Sequence, residues 1–188
     1  AAKQSGADCV KFQTFSTNSL FSKNFLDKNI GLKKDSDKFT LKLKDFEKLS
    51  KFAKKIKLHF TATPFSNIEV DYLIDYLKVK FVKIASMDLN NHPFIKYIAK
   101  KKIPIILSTG FGTEKEISDA VKLIKKYNSK LAILHCVSEY PPQIKKLNLN
   151  RIKILKAKFK IPVGFSDHTI GVNASCIAMT LGAQIIEK

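Results

Sequence analysis

The stretch Pro162–Thr169, with the sequence PVGFSDHT, predicts a buried β-strand that ends in a cluster of polar side chains. The apolar run is short, follows a proline and stops at Ser166, as is typical of a parallel strand covered on both faces. Ser166, Asp167 and His168 then offer a hydroxyl, a carboxylate and an imidazole in consecutive positions. Such groups directly after a strand indicate a functional site.

The same pattern, an apolar strand that stops at Ser, Thr or His before a helical segment, recurs elsewhere in the chain. It occurs at FTATPF (Phe60–Phe65), VKIAS (Val82–Ser86), IILSTG (Ile105–Gly110) and ILHCVS (Ile133–Ser138). Parallel α/β proteins collect their functional groups at the carboxyl ends of strands. These segments therefore predict one site to which several strands contribute.

Hydrophobic patterning predicts strands that alternate regularly with helices, and hence a parallel sheet. The predicted strands are Asp8–Phe15, Leu58–Thr63, Phe81–Ser86, Ile103–Ser108, Leu131–Val137, Pro162–Ser166 and Ala183–Lys188. Residues 1–6 resemble the last turn of a helix with Gly6 as its C-cap, which predicts a further strand before residue 1. We therefore expect an α/β fold, an incomplete (β/α)8 TIM barrel whose first strand is missing and which ends at the last strand. A doubly wound open sheet is the alternative, weakened by the lack of a glycine-rich dinucleotide fingerprint.

Local signals predict where several helices begin and where the chain is irregular. The S/T-x-x-E pattern at Ser66–Glu69 and Thr113–Glu116 predicts two capping boxes. Apolar residues at helical spacing predict a helix between Leu41 and Ile56. Ser16–Asp37 is polar and weakly periodic, which predicts a long loop with at most a short helix near Phe21–Asp27.

Composition limits the partners and the compartment. The chain has 188 residues and a net charge of +18 at pH 7, which raises nucleic acid as a partner. However, Arg151 is the only arginine, and arginine supplies the bidentate contacts typical of specific readers, so we expect no nucleic acid. No apolar run is long enough to span a membrane. Cys9, Cys136 and Cys176 lie in apolar runs without CxxC spacing, which predicts buried thiols in a reducing, cytoplasmic compartment.

Two lysines inside predicted strands are candidates for chemistry. Lys11 and Lys83 each follow apolar residues, and lysine is rarely buried without a partner. They could bind an anion, one could form a Schiff base, or each could be an edge lysine that reaches solvent. His168 is the strongest acid/base or metal-ligand candidate, and His135 is a weaker one. Glu187 lies in the last predicted strand, where an unpaired carboxylate is costly.

Several motifs, in this order, resemble the sialic acid synthase family. They are VKFQTF, TATPF, VKIAS, ILSTG, LHCVSEYP, GFSDHT and LGAQIIEK. The family comprises phosphoenolpyruvate (PEP)-dependent N-acetylneuraminate synthases and their legionaminic and pseudaminic acid relatives. The resemblance covers nearly the whole chain except roughly residues 16–40. It implies that residues 1–188 are a partial (β/α)8 catalytic barrel, without the family's C-terminal antifreeze-like domain, from a protein that forms a homodimer.

The resemblance also implies a residue set for each substrate. PEP would be held by Lys11, Thr63, Lys83, Ser86, Ser108 and Ser166, and the amino sugar by Gln13, Asp88, Ser138 and Tyr140. Ser138 stands where some members have Asn, which leaves the sugar open. Glu187, Asp167 and His168 are expected to be catalytic, and His168 to be one of two metal-binding histidines. The second would follow Lys188 in an E-K-H run.

The implied reaction is the condensation of PEP with N-acetylmannosamine or a related amino sugar, assisted by Mn²⁺ or Mg²⁺ as a Lewis acid. It gives a sialic acid-type nonulosonic acid and phosphate. A class I aldolase that forms a Schiff base at Lys11 or Lys83 is the alternative, and a lysine-rich nucleic-acid-binding domain ranks third. We expect residues 1–188 to be inactive by themselves, because a barrel that lacks a strand exposes two sheet edges.

Overall fold

The computed structural model describes residues 1–188 and contains the seven predicted strands in the predicted order. The strands are β1 (Cys9–Thr14), β2 (His59–Pro64), β3 (Val82–Ile84), β4 (Ile105–Ser108), β5 (Leu131–Cys136), β6 (Val163–Ser166) and β7 (Ile186–Glu187). The helices are α1 (Thr17–Leu20), α2 (Lys23–Lys28), α3 (Ile30–Phe39), α4 (Leu43–Lys55), α5 (Asn67–Asp71), α6 (His92–Lys100), α7 (Glu114–Tyr127), α8 (Arg151–Phe159) and α9 (Asn173–Thr180). None of these helices is both long and apolar enough to cross a membrane.

The chain forms two compact units, residues 1–82 and residues 83–188. In the first unit, β1 and β2 pair in parallel to form a two-stranded sheet. In the second, the strands follow one another in the order β3-β4-β5-β6-β7, and the pairs from β4 to β7 are parallel. Neighbouring strands that are consecutive in the sequence are the arrangement of a barrel, whereas a doubly wound sheet reverses its strand order.

Aromatic packing covers one face of the N-terminal sheet. The Phe12 ring lies 5.6 Å from Phe60 and 6.3 Å, edge-on, from Phe46 of α4, measured between ring centroids. Phe46 is completely buried. Because side chains alternate along a strand, Lys11 and Gln13 lie on the opposite face from Phe12. Helix α4 therefore packs on the aromatic face of β1, and Lys11 and Gln13 lie on its other face.

The five-stranded sheet is strongly curved. At about 4.8 Å per strand, the outer strands of a flat five-stranded sheet lie about 19 Å apart, beyond the reach of one lysine and one glutamate. Lys83 on β3 and Glu187 on β7 nevertheless form an ion pair of 2.8 Å. Both side chains must therefore extend over a concave face. The convex face carries Leu107, Ile133 and Val163, which are fully buried.

The prediction of a long loop at residues 16–37 is wrong, because α1, α2 and most of α3 lie there. The short helix expected near Phe21–Asp27 is present as α2. Ser16 and Ser22 cap α1 and α2, each accepting a hydrogen bond from a backbone N–H. The Thr17 hydroxyl contacts Ser36 and Asp37, which ties α1 to α3. These helices are short and polar and carry little hydrophobic periodicity, so the pattern did not reveal α1 and α3.

One of the two predicted capping boxes forms completely. Thr113 accepts the N–H of Glu116, and the Glu116 carboxylate accepts the N–H of Thr113. At Ser66 only half of the box is present: the Ser66 hydroxyl oxygen accepts the N–H of Glu69, but the Glu69 carboxylate does not accept the N–H of Ser66. The Glu69 carboxylate instead accepts the Phe65 N–H and the Ser19 hydroxyl. This buried glutamate therefore joins α1 to the loop after β2.

The cysteines form no disulfide bond, and their exposure only partly matches the prediction. Cys136 is buried and Cys9 is half-buried, but Cys176 on α9 is exposed, so the prediction of a buried thiol there is wrong. Its helix has a poorly segregated apolar face, which made the side of Cys176 hard to predict. Burial raises the pKa of the Cys9 thiol to about 11.

Candidate active site at the carboxyl ends of the strands

The Lys83–Glu187 ion pair lies in the concave face of the five-stranded sheet. The Lys83 side chain is only 7% exposed and that of Glu187 is 19% exposed. A lysine this deeply buried requires an anionic partner, and Glu187 provides one 2.8 Å from its Nζ. The structure thus gives a partner to the two residues whose burial the sequence left unexplained.

Strand register places further polar side chains on the same face as Glu187. Glu187 pairs with Ser166, and Ser166 pairs with Cys136, so the three side chains lie next to one another across β7, β6 and β5. Ser108 at the end of β4 pairs with Leu134, two residues before Cys136, and therefore lies on this face as well. Ser108 and Ser166 are both buried.

His168 lies beside this row of side chains. Its Nε2 is 3.2 Å from the Ser166 hydroxyl oxygen. Its ring centroid is 4.3 Å from that of Tyr140, whose side chain is otherwise largely exposed. Burial raises the pKa of the Tyr140 hydroxyl, with Cys136 and Glu187 contributing further. The predicted residues Ser166, His168 and Tyr140 are therefore brought together at the ends of β5 and β6.

Asp167 has a different environment, because its oxygens are already hydrogen-bonded. Its Oδ1 accepts the Thr169 N–H at 2.8 Å, and its Oδ2 accepts the Ser175 hydroxyl at 2.6 Å and Lys188 Nζ at 3.2 Å. Burial acts to raise the pKa of Asp167, but the Ser175, Thr169 and Lys188 hydrogen bonds lower it below its ordinary value. This carboxylate orders the turn that carries His168, and its catalytic role stays a prediction.

A 3₁₀ turn, Ser86–Asp88, follows β3 and carries two predicted substrate ligands. Asp88 Oδ1 accepts a hydrogen bond from Asn91, whereas its Oδ2 is buried without a hydrogen-bond partner. Burial raises the pKa of Asp88, partly offset by the Asn91 hydrogen bond. A buried carboxylate oxygen without a donor is costly, so this oxygen is a ready acceptor for a ligand hydroxyl.

The Ser86 hydroxyl connects three strand ends. Its oxygen accepts the Gly110 N–H at 3.0 Å and lies 3.1 Å from the sulfur of Cys136. Ser138 lies close to the same place, because a Cβ built on Gly110 would be 2.6 Å from the Ser138 hydroxyl oxygen. Sequence reasoning singled out Ser86 and Ser138 but missed Gly110 and Cys136. The only local signal for Cys136 was its position beside predicted ligands at the end of β5.

Three further predicted ligands lie in the N-terminal unit. Lys11 pairs with Thr61, and Gln13 pairs with Thr63, across the parallel strands β1 and β2. All of them therefore lie on the face opposite to Phe12. Thr61 and Thr63 are buried, Lys11 is half-buried and Gln13 is exposed. The Thr61 hydroxyl already donates to the Phe81 carbonyl oxygen, so this face offers the Lys11 ammonium, the Gln13 amide and the Thr63 hydroxyl.

His135 lies on the opposite face of β5 from Cys136 and does not join these residues. It is buried, its ring centroid is 5.9 Å from that of Phe165, and its Nε2 lies 2.7 Å from the carbonyl oxygen of Leu147. Because a carbonyl only accepts, Nε2 carries a proton and donates it. Burial lowers the pKa of His135, which keeps the ring neutral. It is a structural residue of the convex face.

The predicted metal ligand His168 does not form a metal site with the other side chains of this chain. Residues 1–188 contain no group of three or more His, Cys, Asp or Glu side chains that could hold a metal ion. Both Asp167 oxygens already accept hydrogen bonds, and Glu187 is paired with Lys83. The divalent cofactor therefore stays a prediction.

The curved parallel sheet, with alternating helices and polar groups at the carboxyl ends of its strands, places the chain in the class of (β/α)-barrel proteins. Residues 1–188 match the NeuB family throughout. The chain belongs to the NeuB family, which confirms the resemblance to the sialic acid synthases and the prediction of an incomplete barrel.

Named relatives agree with this assignment. The chain is 37% identical to the N,N'-diacetyllegionaminic acid synthase of Legionella pneumophila over 202 residues, covering 100% of the chain and 56% of the relative. It is 35% identical to the pseudaminic acid synthase of Campylobacter jejuni over 208 residues, covering 100% and 57%. The crystal structure of the N-acetylneuraminic acid synthetase of Leptospira borgpetersenii superimposes with a TM-score of 0.91 at 34% identity, covering 100% and 64%. The chain spans about half the length of the curated relatives it matches.

Proposed function

We propose that the protein containing this chain condenses phosphoenolpyruvate with an N-acetylated amino sugar to give a nonulosonic acid and phosphate. The observation that carries the proposal is a buried lysine, Lys83, held by Glu187 beside a row of buried hydroxyls at the strand ends. A buried ammonium surrounded by hydroxyl donors is suited to a small phosphorylated carboxylate. NeuB family membership and the names of the relatives support the same reaction.

In this proposal the chain's residues bind and orient PEP while its methylene carbon attacks the aldehyde carbon of the open-chain sugar. Water adds to the resulting cationic carbon of PEP, and the phosphate leaves. Lys83 offsets the negative charge of PEP, and Ser86, Ser108 and Ser166 donate hydrogen bonds to it. On the family resemblance, Lys11 and Thr63 are expected to contribute to PEP binding as well.

The sugar would be bound by the more open side chains. Asp88 has a buried oxygen that lacks a donor, and a sugar hydroxyl supplies one. Tyr140 is largely exposed beside His168 and presents an aromatic face. Ser138 and Gln13 complete the set that the resemblance assigns. The relatives are named for legionaminic and pseudaminic acid synthesis, so the sugar class is an N-acetylated amino sugar and its identity is left to assay.

Metal dependence, assembly and location are further parts of the proposal. Mn²⁺ or Mg²⁺ would be bound by His168 together with ligands other than the side chains described here. The intact protein is proposed to be a cytoplasmic homodimer that uses small-molecule substrates without nucleic acid or a membrane. Chelation with EDTA followed by readdition of each metal tests the first point, and retained turnover after chelation counts against it.

The test of the reaction uses the intact protein. It is incubated with PEP, a divalent metal and each candidate amino sugar, and the products are identified by mass spectrometry together with phosphate release. We expect one phosphate for each sugar acid formed. Ser166→Ala should raise the KM for PEP, whereas Ser118→Ala, a matched change at an exposed serine of α7, should not. Phosphate release without a sugar acid, or no reaction with any amino sugar, would refute the proposal.

The Schiff-base alternative is disfavoured at Lys83 by its ion pair. A Schiff base requires a neutral amine, and a carboxylate 2.8 Å from Lys83 Nζ favours the charged ammonium. Borohydride treatment with substrate separates the two mechanisms. The synthase predicts no covalent lysine adduct, and a mass increase at Lys11 or Lys83 would support the aldolase.

A further inference from the structure

Cys136 is a buried thiol in the candidate site to which the proposed reaction gives no role. It ends β5, and its sulfur lies 3.1 Å from the Ser86 oxygen, contributed by a segment 50 residues earlier in the chain. Cys136 also pairs with Ser166 in the strand register and so lies on the concave face. It therefore contacts one proposed PEP ligand and lies next to another.

The hydrogen-bonding capacity of Ser86 makes the direction of this contact important. A serine hydroxyl has one proton to donate and can accept two hydrogen bonds. The Gly110 N–H, 3.0 Å away, uses one of the acceptor positions. If Ser86 donated its proton to the Cys136 sulfur, it would have none left for an anion. If the Cys136 thiol donates instead, both acceptor positions are filled and the Ser86 proton points to a third partner.

The contact between Cys136 and Ser86 requires a glycine at position 110, because a side chain there would occupy the space that the Cys136 thiol fills. A Cβ at Gly110 would lie 2.7 Å from the Cys136 sulfur and 3.2 Å from the Cys136 carbonyl oxygen. The first distance is shorter than any ordinary carbon–sulfur contact, so the thiol would have to move away. The close approach explains how a backbone N–H and a thiol can reach the same hydroxyl oxygen.

We propose that Cys136 is a positioning residue, whose thiol donates to the Ser86 oxygen and leaves the Ser86 proton for the PEP anion. The inference rests on the proposed function, because the anion it names is the substrate of that reaction. A phosphate or carboxylate accepts hydrogen bonds only, so binding requires the arrangement in which Ser86 donates outward. Cys136 acts through Ser86 and does not itself touch the substrate.

The direction of donation is tested by infrared spectroscopy of the intact protein. The S–H stretching band of Cys136 is identified as the band that Cys136→Ala removes. We expect this band at lower frequency in the wild type than in Ser86→Ala, because a donated S–H bond is weakened. Cys176→Ala, the same change at an exposed cysteine, should leave the band in place. A Cys136 band that Ser86→Ala does not move would overturn the proposal.

Kinetics test whether the contact matters for PEP. We expect Cys136→Ala to raise the KM for PEP about tenfold, the usual value of one hydrogen bond to a charged network, with little change in kcat or in the KM for the sugar. Cys136→Ser retains a donor and should restore part of the loss. In Ser86→Ala, adding Cys136→Ala should cause no further increase. Independent effects of the two substitutions, or a lower Tm with an unchanged KM, would overturn the proposal.

The two proposals fail in different ways. If the reaction is misassigned, the wild-type protein shows no PEP-dependent turnover, although Ser86→Ala still shifts the S–H stretching band of Cys136. That result would overturn the proposal that the anion bound by Ser86 is PEP. If Cys136 has no positioning role, the wild type turns over PEP, and Cys136→Ala matches it in both kinetic constants.

Discussion

Replacing Glu187 with Gln removes the charge that faces Lys83, and we expect a marked loss of stability. Lys83 Nζ and the Glu187 carboxylate are 2.8 Å apart, which corresponds to an attraction of roughly 6 kcal/mol at an effective dielectric constant of about 20. Burial opposes this attraction, because the charged side chains are 7% and 19% exposed and have lost most of their hydration. The net effect is therefore smaller than the attraction alone.

Removing one partner of a buried pair typically costs about 3–5 kcal/mol, because the other charge remains buried. The glutamine carbonyl can still accept a hydrogen bond from Lys83, so for Glu187→Gln we expect the lower limit, about 3 kcal/mol. For a domain of this size, that corresponds to a Tm lower by about 6–12 °C. Lys83→Met should be similarly damaging, because it leaves the Glu187 carboxylate without its cation.

The assay is a double-mutant cycle on the intact protein, in which calorimetry measures the Tm and the free energy of unfolding of each variant. Lys83→Met/Glu187→Gln removes both charges, and it should be more stable than the sum of the single effects by about 2 kcal/mol. Lys115→Met breaks the exposed Lys115–Asp119 pair on α7 and serves as the matched control, with no measurable change in Tm expected. Additive effects of the two substitutions, or single effects on Tm no larger than that of the control, would show that the buried charges do not stabilise each other as the 2.8 Å separation implies.

Three further predictions concern the protonation and exposure of individual side chains. Burial lowers the pKa of His135, so its contribution to stability is present above its ordinary pKa of about 6.5 and is lost as the pH falls below that value. His135→Gln should therefore make Tm fall less steeply between roughly pH 7 and pH 5 than in the wild type, and an unchanged slope of Tm against pH would contradict this. Hydrogen bonds also lower the pKa of Asp167, so the stability it contributes is lost as the pH falls below about 3.9. Asp167→Asn should reduce the free energy of unfolding at neutral pH by about 2 kcal/mol and make Tm depend less on pH below about 4. A variant whose Tm falls with acid as steeply as that of the wild type would count against the hydrogen bonds described. Cys176 is exposed while Cys9 has a pKa of about 11, so iodoacetamide at mildly alkaline pH should label Cys176 first; peptide mapping that finds Cys9 labelled faster would show the burial to be wrong.

Local sequence signals were sufficient for the strands and for most helix starts. Each strand is a short apolar run with polar residues at its end, and the Thr113 capping box marks the start of α7. These features depend on residues a few positions apart, so the sequence contains them directly. Of the helices in residues 17–39, only α2 was anticipated, because α1 and α3 carry no apolar stripe that a sequence pattern could reveal.

The resemblance to a family identified the candidate ligands, but strand register and packing decided which of them meet. Ser166 and Glu187 are neighbours because β6 and β7 pair in one particular register. A shift by one residue would place one of them on the convex face, where His135 lies. The alternation of side chains along β5 could be counted in the sequence, but which set faced inward could not.

What the sequence by itself determined is the order of strands and helices and the polar groups at the strand ends, because these follow from backbone periodicity and local caps. Only the tertiary structure decided that Lys83 pairs with Glu187 and that Cys136 meets Ser86. Those contacts arise when curvature of the sheet brings distant strands within side-chain reach. The physical reason is that a side chain's partner depends on register and curvature, which many weak interactions set together.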